Sequence, residues 1–201
     1  MDVNINADLK ALKKDLTKLQ QKQIPFAAAG AINDTLFQLK GEEAWHAKKQ
    51  LDRPTPFTLR GFKYTKANKK SLEGVFYIDD IQAKYLGYQI KGGVRRPKRK
   101  SVLVPTKKMR RNKYGNVPGW RNKFSTLKDR EGYFSGEIKG VAGLWRVYRS
   151  EKRAPKLMIA YEERAVYKPR FDYYDVARKH INVAFRSNLN RTLTKALATA
   201  R

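Results

Sequence analysis

Asp129, Glu131 and the triplet Glu137-Ile138-Lys139 form the one grouping in this chain with the residue types of a metal-dependent nuclease. In such a site carboxylates hold magnesium while a lysine steadies the charge developing on phosphate. On a strand, Glu137 and Lys139 would share a face, being two residues apart. The same triplet also suits an ordinary charged strand that pairs with its neighbour, and the step from Asp129 is short. His46 and His180 are the chain's two histidines, which leaves little for a zinc site. On a helix, Glu42 lies four residues before His46 and is placed to hold its imidazole. His180 precedes the apolar Ile181 and is expected to be partly exposed, with no task. No phosphate-binding Gly-x-x-x-x-Gly-Lys loop and no Gly-x-Ser-x-Gly elbow occur. The expectation is a protein that is not an enzyme, with no catalytic residue, cofactor or metal.

Charge points to contact with an anion rather than to cleavage. The 48 residues between Asp80 and Asp129 contain no acidic side chain and carry 15 of the chain's 45 lysines and arginines. No carboxylate nearby in sequence neutralises them, so the block is solvated, faces an acidic protein or lies along phosphates. Candidate contacts with a partner or DNA are Lys91, Arg95, Arg96, Lys98, Arg99 and Lys100, then Lys107, Lys108, Arg110, Arg111 and Lys113. Tyr85, Tyr88, Tyr114 and Trp120 stand among them as possible stacking groups. No nucleic-acid module with a sequence-reading element is recognisable, so any nucleic-acid contact is expected to be general.

A net charge of +27 on 201 residues makes an isolated chain repel itself and favours states screened by polyanions. An apolar fraction of 41% is nevertheless too high for a disordered basic tail, so the charge is expected to ride on a folded scaffold. The absence of cysteine removes disulfides and thiolate metal sites and agrees with a reducing compartment. No apolar run approaches the roughly 20 residues that span a bilayer, and no signal-peptide core opens the chain. The expectation is a soluble, unsecreted protein without membrane contact.

The elements follow from periodicity. Asn6 suits an N-cap, with Leu9, Leu12, Leu16 and Leu19 marking an amphipathic first helix. Pro25 suits the start of a second, in which Phe26, Ala29, Ile32, Leu36 and Leu39 draw an apolar stripe. The small run Ala27 to Ala31 invites close approach by another helix, Gly41 is a weak point, and Arg53-Pro54-Thr55-Pro56 ends the helix near Leu51. Strands are predicted at 72–78, 101–105, 133–139, 144–149 and 156–161, with a short helix at 81–90 and a mobile or partner-ordered loop at 107–119. The last three strands are expected to form an antiparallel meander. Ala177, Ile181, Ala184, Phe185, Leu189, Leu193 and Leu197 predict a long terminal helix over 173–200. Together these describe an α+β fold: one domain over 1–201 with an antiparallel sheet, two N-terminal helices, a long C-terminal helix, and 91–120 as a basic loop or arm.

Four short motifs, in this order and spacing, resemble a known family. They are Pro25-Phe-Ala-Ala-Ala-Gly-Ala-Ile-Asn-Asp-Thr35, Ala83-Lys-Tyr-Leu-Gly-Tyr-Gln-Ile-Lys-Gly-Gly-Val-Arg95, Gly143-Leu-Trp145, and Tyr167-Lys-Pro-Arg-Phe171 ahead of a long helix. Over most of the chain, from about residue 9 onward, this is similar to the Z-type minor tail proteins, the tail-completion or neck proteins of long-tailed phages and prophages. The resemblance implies a non-catalytic virion component, assembled in the host cytoplasm, that acts at the head-proximal end of the tail and in head–tail joining. It also implies a homo-oligomeric ring, six-fold by expectation, touching other tail and connector proteins, with the genomic DNA a candidate for non-specific contact. A general nucleic-acid-binding protein using residues 91–113 is the alternative.

Overall fold

The computed structural model describes residues 1–6, 18–97, 100–149 and 153–199. The chain divides into two compact units, one formed by residues 1–90 and 169–201 and the other by the intervening 91–168. The α+β expectation is met, and the basic segment falls within the second compact unit. Residues 91–120 hold two strands and the first residue of a helix.

In the first unit, strands β1 (Asp2–Asn6), β2 (Phe62–Thr65) and β3 (Glu73–Ile78) form an antiparallel sheet in the order β1-β3-β2. The middle strand alternates as a half-buried strand must: Gly74, Phe76 and Ile78 point into the core, and Glu73, Val75 and Tyr77 point away from it. Against this face lies helix α1 (Lys18–Gln50), about 50 Å long at 1.5 Å per residue. Contact is close enough that a Cβ added to Gly74 would stand 2.5 Å from Leu36 Cδ1 and 2.7 Å from Ile32 Cγ2.

Helix α5 (Tyr173–Thr199) runs antiparallel to α1. Gln50 bonds Asp172 at one end, while Asp34 meets Arg191 at 2.6 Å further along. Between them Asn188, buried, donates through Nδ2 to Thr35 Oγ1 (3.1 Å) and Gln38 Oε1 (3.0 Å). The small residues of α1 let α5 pass close by, with Thr192 Cγ2 3.6 Å from where a Gly30 Cβ would be. Phe62, Phe76, Phe171 and Tyr173 fill the centre, with ring centroids 5.8 to 6.4 Å apart. Short helices α2 (Pro56–Leu59) and α3 (Asp80–Lys91) complete the unit.

Three expectations change here. The helix expected to open at Pro25 runs straight through it. A helix-interior proline costs about 3 kcal/mol, but Ile24, Ala27, Ala28 and Ala31 beside it are fully or almost fully buried, and that packing holds the helix together. Of the separate first helix marked by Leu9, Leu12, Leu16 and Leu19, the first three positions lie outside the described residues, and Leu19 belongs to α1 itself. Asn6 ends strand β1, which the helical spacing of the following leucines obscured.

In the second unit, β5 (Val102–Pro105), β6 (Tyr133–Ile138), β7 (Val141–Arg146) and β8 (Lys156–Glu162) form an antiparallel sheet in the order β5-β8-β7-β6. The expected meander is therefore present. Lys139 and Gly140, both at positive φ (51° and 77°), make the tight turn between β6 and β7. Helix α4 (Trp120–Lys128) covers one face through Leu127 and Phe124, the latter edge-on to Tyr161 at 6.0 Å. A two-stranded ribbon of β4 (Gly93–Arg95) and β9 (Ala165–Tyr167) lies at the unit's chain ends.

Candidate polyanion interface

The second unit carries 23 lysines and arginines against 6 aspartates and glutamates, so +17 of the chain's +27 sits on 78 residues. Among the described residues its one ion pair is Arg149–Glu131, at 3.4 Å and almost fully exposed on both sides. A pair so exposed neutralises little.

Two adjoining hollows concentrate this charge. One, of about 610 Å³, is lined by Lys108, Arg110, Arg111, Lys123, Arg130 and Arg146 over an apolar floor of Met109, Val117, Leu127 and Met158. The second, of about 440 Å³, lies among Arg130, Glu131, Tyr133, Arg146, Tyr148 and Arg149. Arg130, Tyr133 and Arg146 belong to both.

The backbone explains how residues so far apart in sequence come together. Tyr133 pairs across the sheet with Arg146, and Arg146 with Lys156, so the three side chains form a row on one face. Arg130 is turned toward that row by bonds from its N–H to Leu127 O and from Tyr133 N–H to its own carbonyl. Gly132, at φ 80°, permits the turn while Val147 N–H bonds its carbonyl at 2.8 Å. The Arg146 guanidinium lies 5.9 Å from the Tyr133 ring centre and 4.9 Å from that of Tyr148. Arg153 and Lys156 lie 5.7 Å and 5.2 Å from the same Tyr148 ring. The tyrosine rings give this crowd of cations partial relief through their quadrupoles.

The lower edge is built by the segment read as a mobile loop. Met109 and Val117 are buried there, and Arg111 donates to the carbonyls of Gly115 and Pro105 at 2.9 and 3.0 Å. Asn112 Oδ1 accepts from the N–H groups of Tyr114 and Asn116. The segment thus satisfies its own polar groups instead of waiting for a partner to do so.

Of the eleven predicted contact residues, Lys108, Arg110 and Arg111 reach the first hollow. Lys91, Arg95, Arg96, Lys100, Lys107 and Lys113 are exposed and line neither hollow. Lys98 and Arg99 lie outside the described residues. Lys123, Arg130, Arg146, Arg149, Arg153 and Lys156 were missed because they are scattered singly along the chain. The i, i+4, i+7 spacing of Trp120, Phe124 and Leu127 was the available signal for the helix that gathers some of them.

The nuclease grouping does not assemble. Lys139 stands in the hairpin turn rather than on the strand, and Asp129 caps the end of α4. Glu137 lies four residues up β6 from Tyr133, roughly 13 Å away along the strand. Among the described residues no three His, Asp or Glu side chains are grouped to hold a metal ion.

Three titratable groups in the first unit stand apart. Glu42 Oε1 holds His46 Nε2 at 3.2 Å, as the helix spacing predicted. Desolvation lowers the His180 pKa, a little opposed by Glu42. Glu43 is fully buried, and neither of its carboxyl oxygens meets a hydrogen-bond partner among the described residues. Burial, and secondarily the neighbouring Glu42, push its pKa up to about 9.

Among the described residues no helix is long and apolar enough to cross a membrane. No family model, curated protein or solved structure matches the chain.

Proposed function

We propose that this chain is a non-enzymatic structural protein of a phage particle, a minor tail or tail-completion component that acts as a ring subunit in head–tail joining. The observation that carries this reading is the segregation of charge: +17 is mounted on one folded unit, where 23 lysines and arginines stand against 6 carboxylates and form one ion pair among the described residues. Such a surface is stabilised by a large anionic neighbour, which an assembly supplies and free solution does not. The four tail-protein-like motifs support it further, since they fall on framework elements: α1, the α3–β4 junction, β7 and the entry to α5. In the assembled particle the chain would contact copies of itself and other tail and connector proteins. Deleting the gene from its phage or prophage is the test. The expected result is full heads and finished tubes that do not join, restored by the gene in trans; normal infectivity without it rejects the reading.

A second reading, a general nucleic-acid-binding protein using residues 91–113, is favoured by the exposure of Lys91, Arg95, Arg96 and Lys100. Replacing Arg95, Arg96, Lys98, Arg99 and Lys100 by glutamine then weakens DNA binding and flattens its salt dependence. Unchanged affinity would remove that segment from consideration.

A further inference from the structure

Placement singles out a different surface for anion contact. Seven cations, Lys108, Arg110, Arg111, Lys123, Arg130, Arg146 and Arg149, border the two adjoining hollows, whereas Glu131 is the one carboxylate there among the described residues and already faces Arg149. Lys108, Arg110, Lys123, Arg130 and Arg146 have no carboxylate within ion-pair distance among the described residues. We propose that this double hollow, and not the 91–100 segment, is the site where the chain grips the sugar-phosphate backbone of double-stranded DNA.

Three features select that ligand. Arginine dominates, and its planar fork matches phosphate oxygens two at a time. The cations are spread over two joined concavities, which suits a rod carrying a charge every 1.7 Å or so better than one compact acidic side-chain cluster. The aromatic rings point to duplex rather than single strand: those of Tyr133 and Tyr148 already carry guanidinium and ammonium groups 4.9 to 5.9 Å from their centres. They are therefore not open platforms for base stacking, which is what single-strand binders present. Arg111, spent on backbone carbonyls, holds the rim in place rather than reaching for phosphate.

The inference deepens the virion reading and rests on it for the identity of the DNA, a packaged genome; contact with duplex is tested independently. The full chain, its Arg130→Gln/Arg146→Gln variant and the five-fold glutamine variant of residues 95–100 are titrated onto a labelled 30-base-pair duplex by anisotropy, from 50 to 300 mM NaCl. Circular dichroism and thermal melting confirm that each variant is folded, as expected for exposed side chains.

With two phosphate contacts removed, the double variant should lose about 1.8 from the slope of log K against log salt, at about 0.9 per contact. Its affinity at 100 mM NaCl should fall at least ten-fold, while the five-fold variant stays within a factor of three. Arg130→Lys/Arg146→Lys should restore the slope. A double variant with wild-type slope and affinity overturns the proposal, as does loss of binding in the five-fold variant alone, equal affinity for single strands, or wild-type protein that binds polyglutamate but not duplex at 50 mM NaCl. A head–tail joining defect in the gene deletion alongside any of these results would sink the DNA site and leave the structural role standing.

Discussion

Glu43→Gln tests the energetics of the first unit most sharply. The side chain is fully buried, neither oxygen has a hydrogen-bond partner among the described residues, and burial raises its pKa from an ordinary 4.5 to about 9. Across that interval the native chain keeps the proton and the unfolded chain releases it. The contribution of Glu43 to stability is therefore greatest below pH 4.5, falls by about 1.4 kcal/mol per pH unit up to about pH 9, and levels off above it. At pH 7, which is 2.5 units above 4.5, holding Glu43 protonated costs about 3 kcal/mol. A glutamine cannot titrate, but relative to the protonated acid it buries one further N–H, at a pH-independent cost of about 1–3 kcal/mol where that donor stays unpartnered. The variant should thus be the less stable protein at pH 5 and the more stable one at pH 8, with the crossing about one to two units above 4.5. Urea denaturation of both proteins at pH 5.0, 6.0, 7.0 and 8.0 gives the difference free of every group they share. A difference that stays constant over this range would refute the buried, protonated state of Glu43.

Gly143→Ala should destabilise the second unit by about 2–3 kcal/mol, because the new methyl would run into Leu157 Cδ1 and stand 2.5 Å from Ile159 O; urea melts followed by tryptophan fluorescence measure it. Asn188→Ala should cost about 1–3 kcal/mol by stripping Thr35 Oγ1 and Gln38 Oε1 of their shared donor between α1 and α5, read as a lowered urea midpoint. Phe76→Ala should cost about 3–5 kcal/mol, since its ring stacks near both Phe62 and Tyr173. Lys63→Ala, although it breaks the bridge to Asp79, should leave the urea midpoint unchanged within experimental scatter because both partners remain partly exposed to water.

Elements with a local signature were legible from the residues. The seven apolar positions from Ala177 to Leu197 fall within α5, and the apolar run after Ser101 is β5. What escaped depended on distant partners: Phe62–Thr65 becomes strand β2 by lying beside β3, and Gly93–Arg95 becomes β4 by pairing with residues 165–167. The interface followed the same rule. A charge run such as 95–100 is conspicuous in one dimension, yet Arg130 and Arg146 meet through the β6–β7 register and a glycine turn. Neither register nor turn geometry can be counted off in a string of letters. The helix expected to start at Pro25 failed for the converse reason, as local propensity yielded to the packing of Ile24 and the alanines.

The manner in which the second unit is spliced in has its own consequence. The carbonyl of Gln89 accepts from the N–H groups of both Arg170 and Phe171, at 2.8 and 3.0 Å, so the scaffold's two cut ends are stitched together whatever lies between them. With the mouth of the excursion already shut, doubling its length adds only about 0.6 kcal/mol of closure entropy. The insert between residues 91 and 168 can therefore be trimmed, enlarged or exchanged at small entropic cost to the helices and sheet of the first unit.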